Sequence, residues 1–291
     1  MKKVMIGYIL SGRGLGKDET ICLRLAKKNN INLVMFNIAE EMDEEEIEER
    51  IKKCDIFYNA TAEDFAIEFD KTIEELGKKV IDSTEAYYYS EDKWMFFLKC
   101  REHKIPTPRT ILLLEDISTI KKELKKFNEW PVVLKRVNGC MGEFVEKADN
   151  LSESEKIIKK FWKKGNERLP IIAQELIKSP SYRVTKIGDK IVQTALKENH
   201  GWKSTGVYEK KFKKFKIDSE LKDIIKKLSK IIPIKVCGID FLKKDGKWMV
   251  LEVNSSPGFD FFNSERVKLN LELLKFLKKE ALINRKEREV S

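Results

Sequence analysis

Three side chains near the end of the chain, Asp240, Glu252 and Asn254, carry oxygen atoms that could hold a hard metal cation. They lie on two apolar stretches, residues 236–242 and 247–253, which the pattern predicts to be neighbouring strands. Because side chains alternate along a strand, Glu252 and Asn254 share a face. Mg²⁺ requires one or two carboxylates with room left for phosphate oxygens, so the pattern indicates a metal that holds phosphates. Alternatively, these residues are ordinary solvated groups on a sheet face.

The turn between the two strands, Lys243-Lys244-Asp245-Gly246, decides whether Asp240 joins this face. A loop with an odd number of residues, for example three with Gly246 in the left-handed conformation, places Asp240 beside Glu252. A two-residue loop places it on the opposite face. The odd loop is the arrangement in which the oxygen ligands converge, and a carboxylate within an apolar strand needs something to compensate its charge.

Composition predicts a globular, soluble chain. Its 291 residues suffice for two or three cores, and 42% of them are hydrophobic, which is too many for a disordered chain. The formal net charge of +10 would attract anionic ligands. Opposite charges are interspersed, however, and no basic block alternates with aromatic residues. The charge pattern therefore favours an ion-paired surface over a nucleic-acid partner.

The location predicted from the sequence is the cytoplasm. The five cysteines stand far apart without metal-ligand spacing, which fits a reducing compartment. Residues 4–10 form a short apolar run without a cleavage site, so we interpret them as a first strand and not as a signal peptide. No apolar run approaches membrane-spanning length, and we expect no membrane partner.

The alternation of elements predicts an α/β protein with several units. Residues 1–90 alternate strands and helices, which predicts a small doubly wound parallel sheet. A second unit covers residues 91–170 and a third covers residues 171–283. Residues 284–291 are charged and are expected to form a loose tail.

Two glycine-containing loops are candidates for phosphate binding. The segment Gly12-Arg13-Gly14-Leu15-Gly16-Lys17 fails the P-loop pattern, because only three residues separate Gly12 from Gly16 and Asp18 follows the lysine. The second loop follows an apolar strand that ends near Lys135, and its backbone amides can approach phosphates closely. An ordinary glycine turn is the alternative for this second loop.

Two further segments have polar residues where a nucleotide could bind. The strand beginning at Ile171 turns polar at Gln174 and Glu175, where exposed backbone can pair with an adenine edge. Arg183 and Lys203 follow and could face phosphate. Solvated strand ends and surface ion pairs are the alternatives.

The full succession of segments is specific through its order and through the terminal motif. In chain order the segments are Asp92-Lys93, Ile105-Pro106-Thr107-Pro108-Arg109-Thr110, the Lys135 strand with its loop, Gln174-Glu175-Leu176-Ile177, Arg183, Gly238-Ile239-Asp240-Phe241 and Glu252-Val253-Asn254-Ser255-Ser256-Pro257-Gly258. This succession resembles the ATP-grasp superfamily, and within it the RimK-type ligases, over residues 85–280.

The resemblance implies an ATP-grasp fold of mixed α/β (α+β) class with a small N-terminal parallel-sheet domain. It implies an ATP-dependent carboxylate–amine ligase that forms an amide through an acyl phosphate, with ATP as co-substrate and two Mg²⁺ or Mn²⁺ ions. The implied amine is an amino acid such as L-glutamate, and the implied acid is the carboxylate of a cofactor, peptide or carrier. Whether the chain forms a homo-oligomer stays open.

The resemblance also implies residue roles. They are phosphate contacts by Lys93 and Lys135; a flexible lid loop at Gly139, Cys140, Met141 and Gly142; an adenine-binding hinge at Gln174, Glu175, Leu176 and Ile177; cations at the transferred phosphate, Arg183 and Lys203; metal ligands Asp240, Glu252 and Asn254; and a substrate floor at Ser255, Ser256 and Gly258.

Some positions depart from the family pattern. Ser181 stands where relatives usually carry an acid, which leaves the ribose contact open. Lys203 replaces an arginine and loses bidentate geometry, and Thr205 replaces an asparagine. Residues 259–262 are bulky and indicate an altered substrate preference.

Three other functions stay in view. The first is a phosphotransferase on the same fold, acting on a hydroxyl such as that of an inositol. The second is an ATP-binding regulatory module without turnover. The third is a nucleic-acid-binding protein, which the net charge suggests and the absence of a base-reading motif argues against.

Overall fold

The computed structural model describes residues 3–40, 43–61, 63–139, 142–164, 168–197, 201–203 and 211–290. Within these ranges the chain forms three four-stranded sheets. None of the described helices has an apolar stretch long enough to cross a lipid bilayer.

The N-terminal unit is the parallel sheet that the sequence predicts. Its elements are β1 (Val4–Leu10), α1 (Lys17–Lys28), β2 (Ile31–Asn37), α2 (Glu44–Lys53), β3 (Ile56–Asn59), α3 (Asp64–Glu75) and β4 (Val80–Ile81). The strand order is β2-β1-β3-β4. Ile9 and Phe57 pack with α2 and α3, whereas Ile6 and Ile56 pack with α1 on the opposite face. Apolar residues on both faces explain why helices cover both sides.

The middle unit is an antiparallel sheet covered by helices on one face. After α4 (Thr84–Glu91) come α5 (Lys93–Glu102), β5 (Thr110–Leu113), α6 (Ile117–Phe127), β6 (Val132–Arg136), β7 (Val145–Ala148), α7 (Leu151–Lys164) and β8 (Ile171–Glu175). The strand order is β5-β8-β6-β7, so the boundary predicted at residue 171 is wrong: β8 pairs with β5 and β6 and belongs to this sheet, not to the third unit. Leu134 and Ala173 face a core with α6 and α7. The alternate residues Lys135 and Gln174 therefore face the other way, towards a cleft.

The third sheet is antiparallel and forms the other wall of this cleft. Its elements are β9 (Ser181–Ile187), β10 (Lys190–Lys197), α8 (Ser219–Ile231), β11 (Val236–Lys244) and β12 (Lys247–Ser255). The strand order is β10-β9-β11-β12. Val184, Ile239 and Trp248 pack against α8 and α5. Arg183 and Asp240 stand on the opposite face of the sheet, because side chains alternate along each strand.

Two helices depart from the sequence pattern. Helix α4 is not predicted, and it places Glu91 beside the third sheet. The final helix, α9 (Arg266–Val290), continues through the segment expected to be a loose tail, so that expectation is wrong as far as residue 290. Asn284 Nδ2 donates to the Asp55 carbonyl at 2.7 Å, and Arg285 Nε donates to Asp55 Oδ1 at 2.6 Å. These contacts hold the helix end against the N-terminal sheet.

The N-terminal unit and the third sheet share one hydrophobic core. Leu269, Leu273 and Leu277 of α9 pack in the same cluster as Ile6 of β1. Phe259, directly after the terminal motif, is buried in this cluster as well. The segment carrying Glu252 and Asn254 is therefore anchored in the core of the N-terminal unit.

Candidate active site

The β11–β12 hairpin brings Asp240, Glu252 and Asn254 onto one face by a route that differs from the expected one. Its loop has two residues, Asp245 and Gly246, both with positive φ, at 51° and 78°. A two-residue loop alone would send Asp240 to the other face.

A β-bulge reverses this outcome. The pairing shifts between Asp240 and Phe241, so that Phe241 is opposite Val250 while Asp240 is opposite Glu252. Leu251 is the extra residue on β12, and it restores the shared face. The three side chains share one face, as the metal hypothesis requires, but they do so with a two-residue loop and a bulge, which neither of the two loop alternatives included.

The two carboxylates lie within a set of opposing charges. Arg183 is opposite Asp240 on β9, and its Nε lies 2.7 Å from Asp240 Oδ1. Asn254 Nδ2 donates to Asp240 Oδ2 at 3.1 Å, which leaves the Asn254 amide oxygen as an acceptor. Burial raises the pKa of Asp240, against the opposing effect of Arg183, and the neighbouring Glu252 raises it further.

Glu252 has the opposite balance. Burial alone would raise its pKa, but Lys135, Lys93 and Arg183 together hold the pKa of Glu252 below its usual value. Glu252 is therefore the carboxylate of the pair that the site keeps ionised. A partly buried carboxylate whose pKa is held down by three neighbouring cations is typical of a site that binds a further charged group.

Gly238 gives the Arg183 side chain its position. A Cβ atom at residue 238 would lie 1.9 Å from one terminal nitrogen of Arg183 and 2.9 Å from its Cζ. The guanidinium therefore lies directly over the glycine, next to the metal-ligand candidates. Glycine is the residue that permits this close approach.

Two lysines complete the charge arrangement, Lys135 from the middle sheet and Lys93 from α5, the helix that packs in the core of the third sheet. Asp92 caps α5 by accepting from Met95 N at 2.8 Å, which places Lys93 at the first helical position. Lys135 is buried on β6, and its Nζ donates to Gln174 Oε1 at 2.8 Å. Burial lowers the pKa of Lys135 to about 8. Lys93, Lys135, Gln174 and Glu252 line a common cavity.

The predicted adenine hinge lies at the junction between the two sheets. Glu175 Oε1 accepts from Arg109 N at 2.8 Å, and Glu175 Oε2 accepts from Lys244 Nζ. Gln174 Nε2 donates to Thr110 Oγ1 at 2.9 Å. Leu176 and Ile177 follow β8 and lead towards β9. One Glu175 oxygen thus joins β8 to the start of β5 within the middle sheet, and the other joins this sheet to the third sheet.

The predicted lid loop is described only in part. Lys93 Nζ donates to the Gly139 carbonyl at 2.7 Å. Gly139 and Gly142 have positive φ, at 137° and 73°. Cys140 and Met141 lie outside the described residues.

The predicted substrate floor contacts elements from earlier in the chain. Ser255 Oγ donates to Glu91 Oε1 at 3.0 Å. Ser256, at φ 47°, donates from Oγ to the Asn59 carbonyl at 3.1 Å. Gly258 faces Asp260, whose Oδ1 would lie 3.1 Å from an added Cβ. Substrate binding by these three residues stays a prediction.

Glu91 is a site carboxylate that the sequence interpretation missed. Burial raises its pKa, and Lys93 and Glu252 are among the charges that act on it. The available signal was its place directly before Asp92-Lys93. Because the sequence does not predict helix α4, it does not indicate that the Glu91 side chain points towards Ser255.

A second cavity lies on the far side of Asp240. It is lined by Ser181, Arg183, Ala195, Lys197, Phe212, Asp240 and Phe261. Lys203 lies in the described segment 201–203, with its Nζ 5.5 Å from the ring centre of Trp202. Its assignment to the transferred phosphate stays a prediction, and Thr205 lies outside the described residues.

The donor set fits a hard divalent cation. Asp240, Glu252 and Asn254 offer oxygen ligands from facing positions of one sheet. In the described part of the chain, no three His, Cys, Asp or Glu side chains are grouped closely enough to hold a metal. Metal binding by Asp240, Glu252 and Asn254 stays a prediction.

Comparison with known sequences agrees with this geometry. The model of the RimK-like ATP-grasp domain matches residues 90–277. The alpha-aminoadipate–LysW ligase LysX of Saccharolobus solfataricus is 31% identical over 215 residues, which are 72% of this chain and 76% of that protein. The coenzyme gamma-F420-2:alpha-L-glutamate ligase of Methanocaldococcus jannaschii is 24% identical over 245 residues, covering 73% and 84% of the two chains.

Solved structures share the fold at low sequence identity. A RimK domain ATP-grasp protein from Sphaerobacter thermophilus superposes with a TM-score of 0.74 at 12% identity, covering 94% of this chain and 99% of that chain. The D-alanine–D-alanine ligase from Bacillus anthracis complexed with ATP gives 0.72 at 19% identity, covering 98% and 99%. These likenesses confirm the predicted fold class.

Proposed function

Because the chain belongs to the RimK-like ATP-grasp family, we propose that it is an ATP-dependent ligase that joins a carboxylate to an amine. The observation that carries this proposal is the meeting of two oppositely charged surfaces across one cleft. Asp240 and Glu252 face it from the third sheet, Lys135 enters it from the middle sheet, and Lys93 enters it from the start of α5.

The lysines are suited to hold the phosphates of ATP. Lys135 is buried, and a buried ammonium group is stabilised when an anion binds beside it. Lys93 carries a second positive charge at the start of α5. Gln174, Glu175, Leu176 and Ile177, at the junction of the two sheets, are the proposed adenine-binding segment.

Asp240, Glu252 and Asn254 would hold Mg²⁺ or Mn²⁺, in keeping with their all-oxygen donor set. When bound, these ions supply positive charge against the phosphate oxygens during transfer. Arg183 pairs with Asp240, which orients that carboxylate and adds a cation close to the γ-phosphate.

The reaction proceeds in two steps that need no side-chain nucleophile. A carboxylate oxygen of the acid attacks the γ-phosphorus of ATP, the bond to the bridging oxygen breaks, and ADP leaves. The amine then attacks the acyl carbon of the resulting acyl phosphate, inorganic phosphate leaves, and the nitrogen loses one proton as the amide forms. Arg183 and the two lysines act by stabilising charge and by positioning.

The proposed substrates follow from the relatives. The amine is an amino acid such as L-glutamate, which the name of the Methanocaldococcus jannaschii ligase supports. The acid belongs to a cofactor, a peptide or a carrier, and the name of the Methanocaldococcus jannaschii coenzyme ligase supports the first of these. Ser255, Ser256 and Gly258 are proposed to line its binding floor.

The test is a screen for ADP release. Candidate acids and amino acids are combined with ATP and either Mg²⁺ or Mn²⁺, and each product is weighed by mass spectrometry. We expect an amide and inorganic phosphate in equal amounts. A phosphoester product would overturn the ligase assignment in favour of a phosphotransferase, and nucleotide binding without turnover across the screen would favour a regulatory module. Glu252→Gln serves as the matched control, because it keeps the side-chain volume and removes the charge.

A further inference from the structure

A stacked pair of side chains, Arg136 and Phe144, lies next to the proposed phosphate site. Arg136 follows Lys135 on β6 and points to the opposite face of the sheet. Its guanidinium lies over the Phe144 ring, with Cζ 3.5 Å from the ring centre. Arg136 is buried although it carries a charge.

Arg136 is held by the end of α7 as well as by the ring. One of its terminal nitrogens donates to the Phe161 carbonyl at 2.8 Å. Phe161 is among the last four residues of α7, whose carbonyls lack partners within the helix. A cation at a helix C-terminus also interacts favourably with the helix dipole.

Phe144 has a backbone conformation that a bulky residue rarely adopts. Its φ is 52°, in the left-handed region that favours glycine. Its ring packs edge-to-face against Phe161, with centres 5.6 Å apart, and Lys164 Nζ lies 5.1 Å from its centre. The contacts with Arg136, Phe161 and Lys164 hold the residue in this conformation.

The chain segment between Arg136 and Phe144 accepts hydrogen bonds from Lys93. Arg136 N donates to the Phe144 carbonyl at 3.2 Å, so the segment leaves and re-enters the sheet at one point. Within it, the Val137 carbonyl accepts from Lys93 N at 3.1 Å, and the Gly139 carbonyl accepts from Lys93 Nζ at 2.7 Å. Val137 N also donates to the Pro170 carbonyl at 3.0 Å, so the Val137 carbonyl is held from two sides, whereas the Gly139 carbonyl depends on how the segment is fixed at its ends.

We propose that Arg136 and Phe144 are positioning residues for nucleotide binding, whose stacking fixes the carbonyls that orient Lys93. The inference rests on the proposed function, because it gives the nucleotide phosphates as the ligand of Lys93. Neither residue contacts the nucleotide in this arrangement, since their side chains lie on the face away from the cleft.

The arginine side chain is required for its shape as well as for its charge. A planar guanidinium can lie flat on a ring while one nitrogen reaches the Phe161 carbonyl, whereas the point charge of lysine cannot do both. Arg136→Lys therefore keeps the positive charge and removes the stack. Phe144→Leu keeps a bulky side chain at the same φ and leaves the bond between Arg136 and Phe161 in place.

The experiment measures binding of AMP-PNP in the presence of MgCl₂ by isothermal titration calorimetry. We expect Arg136→Lys and Phe144→Leu each to raise Kd at least tenfold, and the double variant to bind about as weakly as either single variant, because the two residues act as one unit. Arg101→Lys is the matched control: Arg101 lies 5.6 Å from the Phe97 ring in another stacked pair, and its Kd should stay within twofold of wild type.

Measurements in a Lys93→Met background distinguish a positioning role of Arg136 from a general loss of structure in its variants. In a Lys93→Met protein, Arg136→Lys should cause no further loss of affinity, because the residue acts through Lys93. An equal loss in both backgrounds, or wild-type affinity in Arg136→Lys and Phe144→Leu, overturns the inference. If Arg136→Lys does not fold, Phe144→Leu alone carries the same comparison. Absence of AMP-PNP binding in the wild-type protein overturns the proposed function itself, and this inference with it.

Discussion

Replacing Gly238 by alanine should lower the activity of the enzyme far more than it lowers the stability of the fold. The added methyl group would lie 1.9 Å from a terminal nitrogen of Arg183, 2.9 Å from its Cζ and 3.0 Å from its Cδ. These atoms belong to a flexible side chain, so the guanidinium moves and the β11 backbone does not. Arg183 then loses its place beside Asp240, where its Nε now lies at 2.7 Å.

The size of the effect follows from the pair that is lost. Hydrogen bonds and contacts to charged groups contribute about 1.5–3 kcal/mol each, and 1.4 kcal/mol corresponds to about a tenfold change. We therefore expect Gly238→Ala to lower kcat/KM by about 10- to 150-fold. Alanine within a strand is favoured over glycine by about 0.5–1 kcal/mol. This gain offsets part of the stability that is lost when Asp240 is left without Arg183, so the melting temperature should fall only slightly while activity falls.

The assay is ADP release under the conditions of the substrate screen, with thermal unfolding followed in parallel. Arg183→Ala supplies the matched background, because the methyl group then has nothing to displace. Gly238→Ala should have little effect in that background. Wild-type kcat/KM in the single variant would refute the reasoning, as would an activity loss of the same size once Arg183 is already absent.

Three further perturbations test other parts of the structure. Asp240→Asn and Glu252→Gln should each lower turnover by at least about a hundredfold, because one contact that stabilises the transition state contributes about 3–4 kcal/mol. Near-normal turnover with an unchanged circular-dichroism spectrum would exclude these residues as metal ligands. Removal of divalent cations with EDTA should stop turnover, and Mg²⁺ or Mn²⁺ should restore it; turnover that persists in EDTA would contradict the metal site. The third perturbation concerns stability. Burial raises the pKa of Asp70 to about 8, whereas the pKa of an aspartate in an unfolded chain is about 4. Between these two pH values the folded state keeps a proton that the unfolded state loses, so the free energy of unfolding falls as the pH rises. Asp70→Asn should flatten that decline in urea midpoints measured from pH 5 to pH 8, and an unchanged slope would show that another group is responsible.

The strand and helix pattern of the N-terminal unit could be read directly from the sequence. Apolar runs such as Val4–Leu10 alternate with helices, and this alternation fixes parallel pairing. Helix α4 could not be read in the same way. Its Tyr87-Tyr88-Tyr89 run carries no clear helical periodicity, and Tyr87 is buried while Tyr88 is exposed.

The metal-ligand candidates were identifiable by type, whereas their geometry was not. Turn residues such as Gly246 indicate where the hairpin loop lies. A bulge residue such as Leu251 cannot be distinguished in the sequence from any other apolar strand residue. The charged tail gave a similar error, because its sequence resembles a solvated segment. Asn284 and Arg285 find their partners on Asp55, more than two hundred residues away, and short-range patterns contain no information on such contacts.

The approach of Lys93 and Lys135 to Glu252 was implied by the family resemblance alone. These residues lie on α5, β6 and β12, and no local pattern links them. The structure supplies the missing link through the cavity that they line together. Their roles towards a bound nucleotide await the experiments above.

The core shared by the first and third units determines how a nucleotide gains entry. Separating those units would expose Phe259, Ile6 and the leucines of α9 to water, at about 25 cal/mol for each Å² of apolar surface. We therefore expect the first and third units to stay together as one rigid body, the platform. The middle sheet has a core built from residues 111–173 only, and Lys244 and Glu175 join it to the platform by an ion pair at its margin. Moving the middle sheet relative to that platform would leave both cores intact, so we expect the cleft to open to a nucleotide by movement of this sheet.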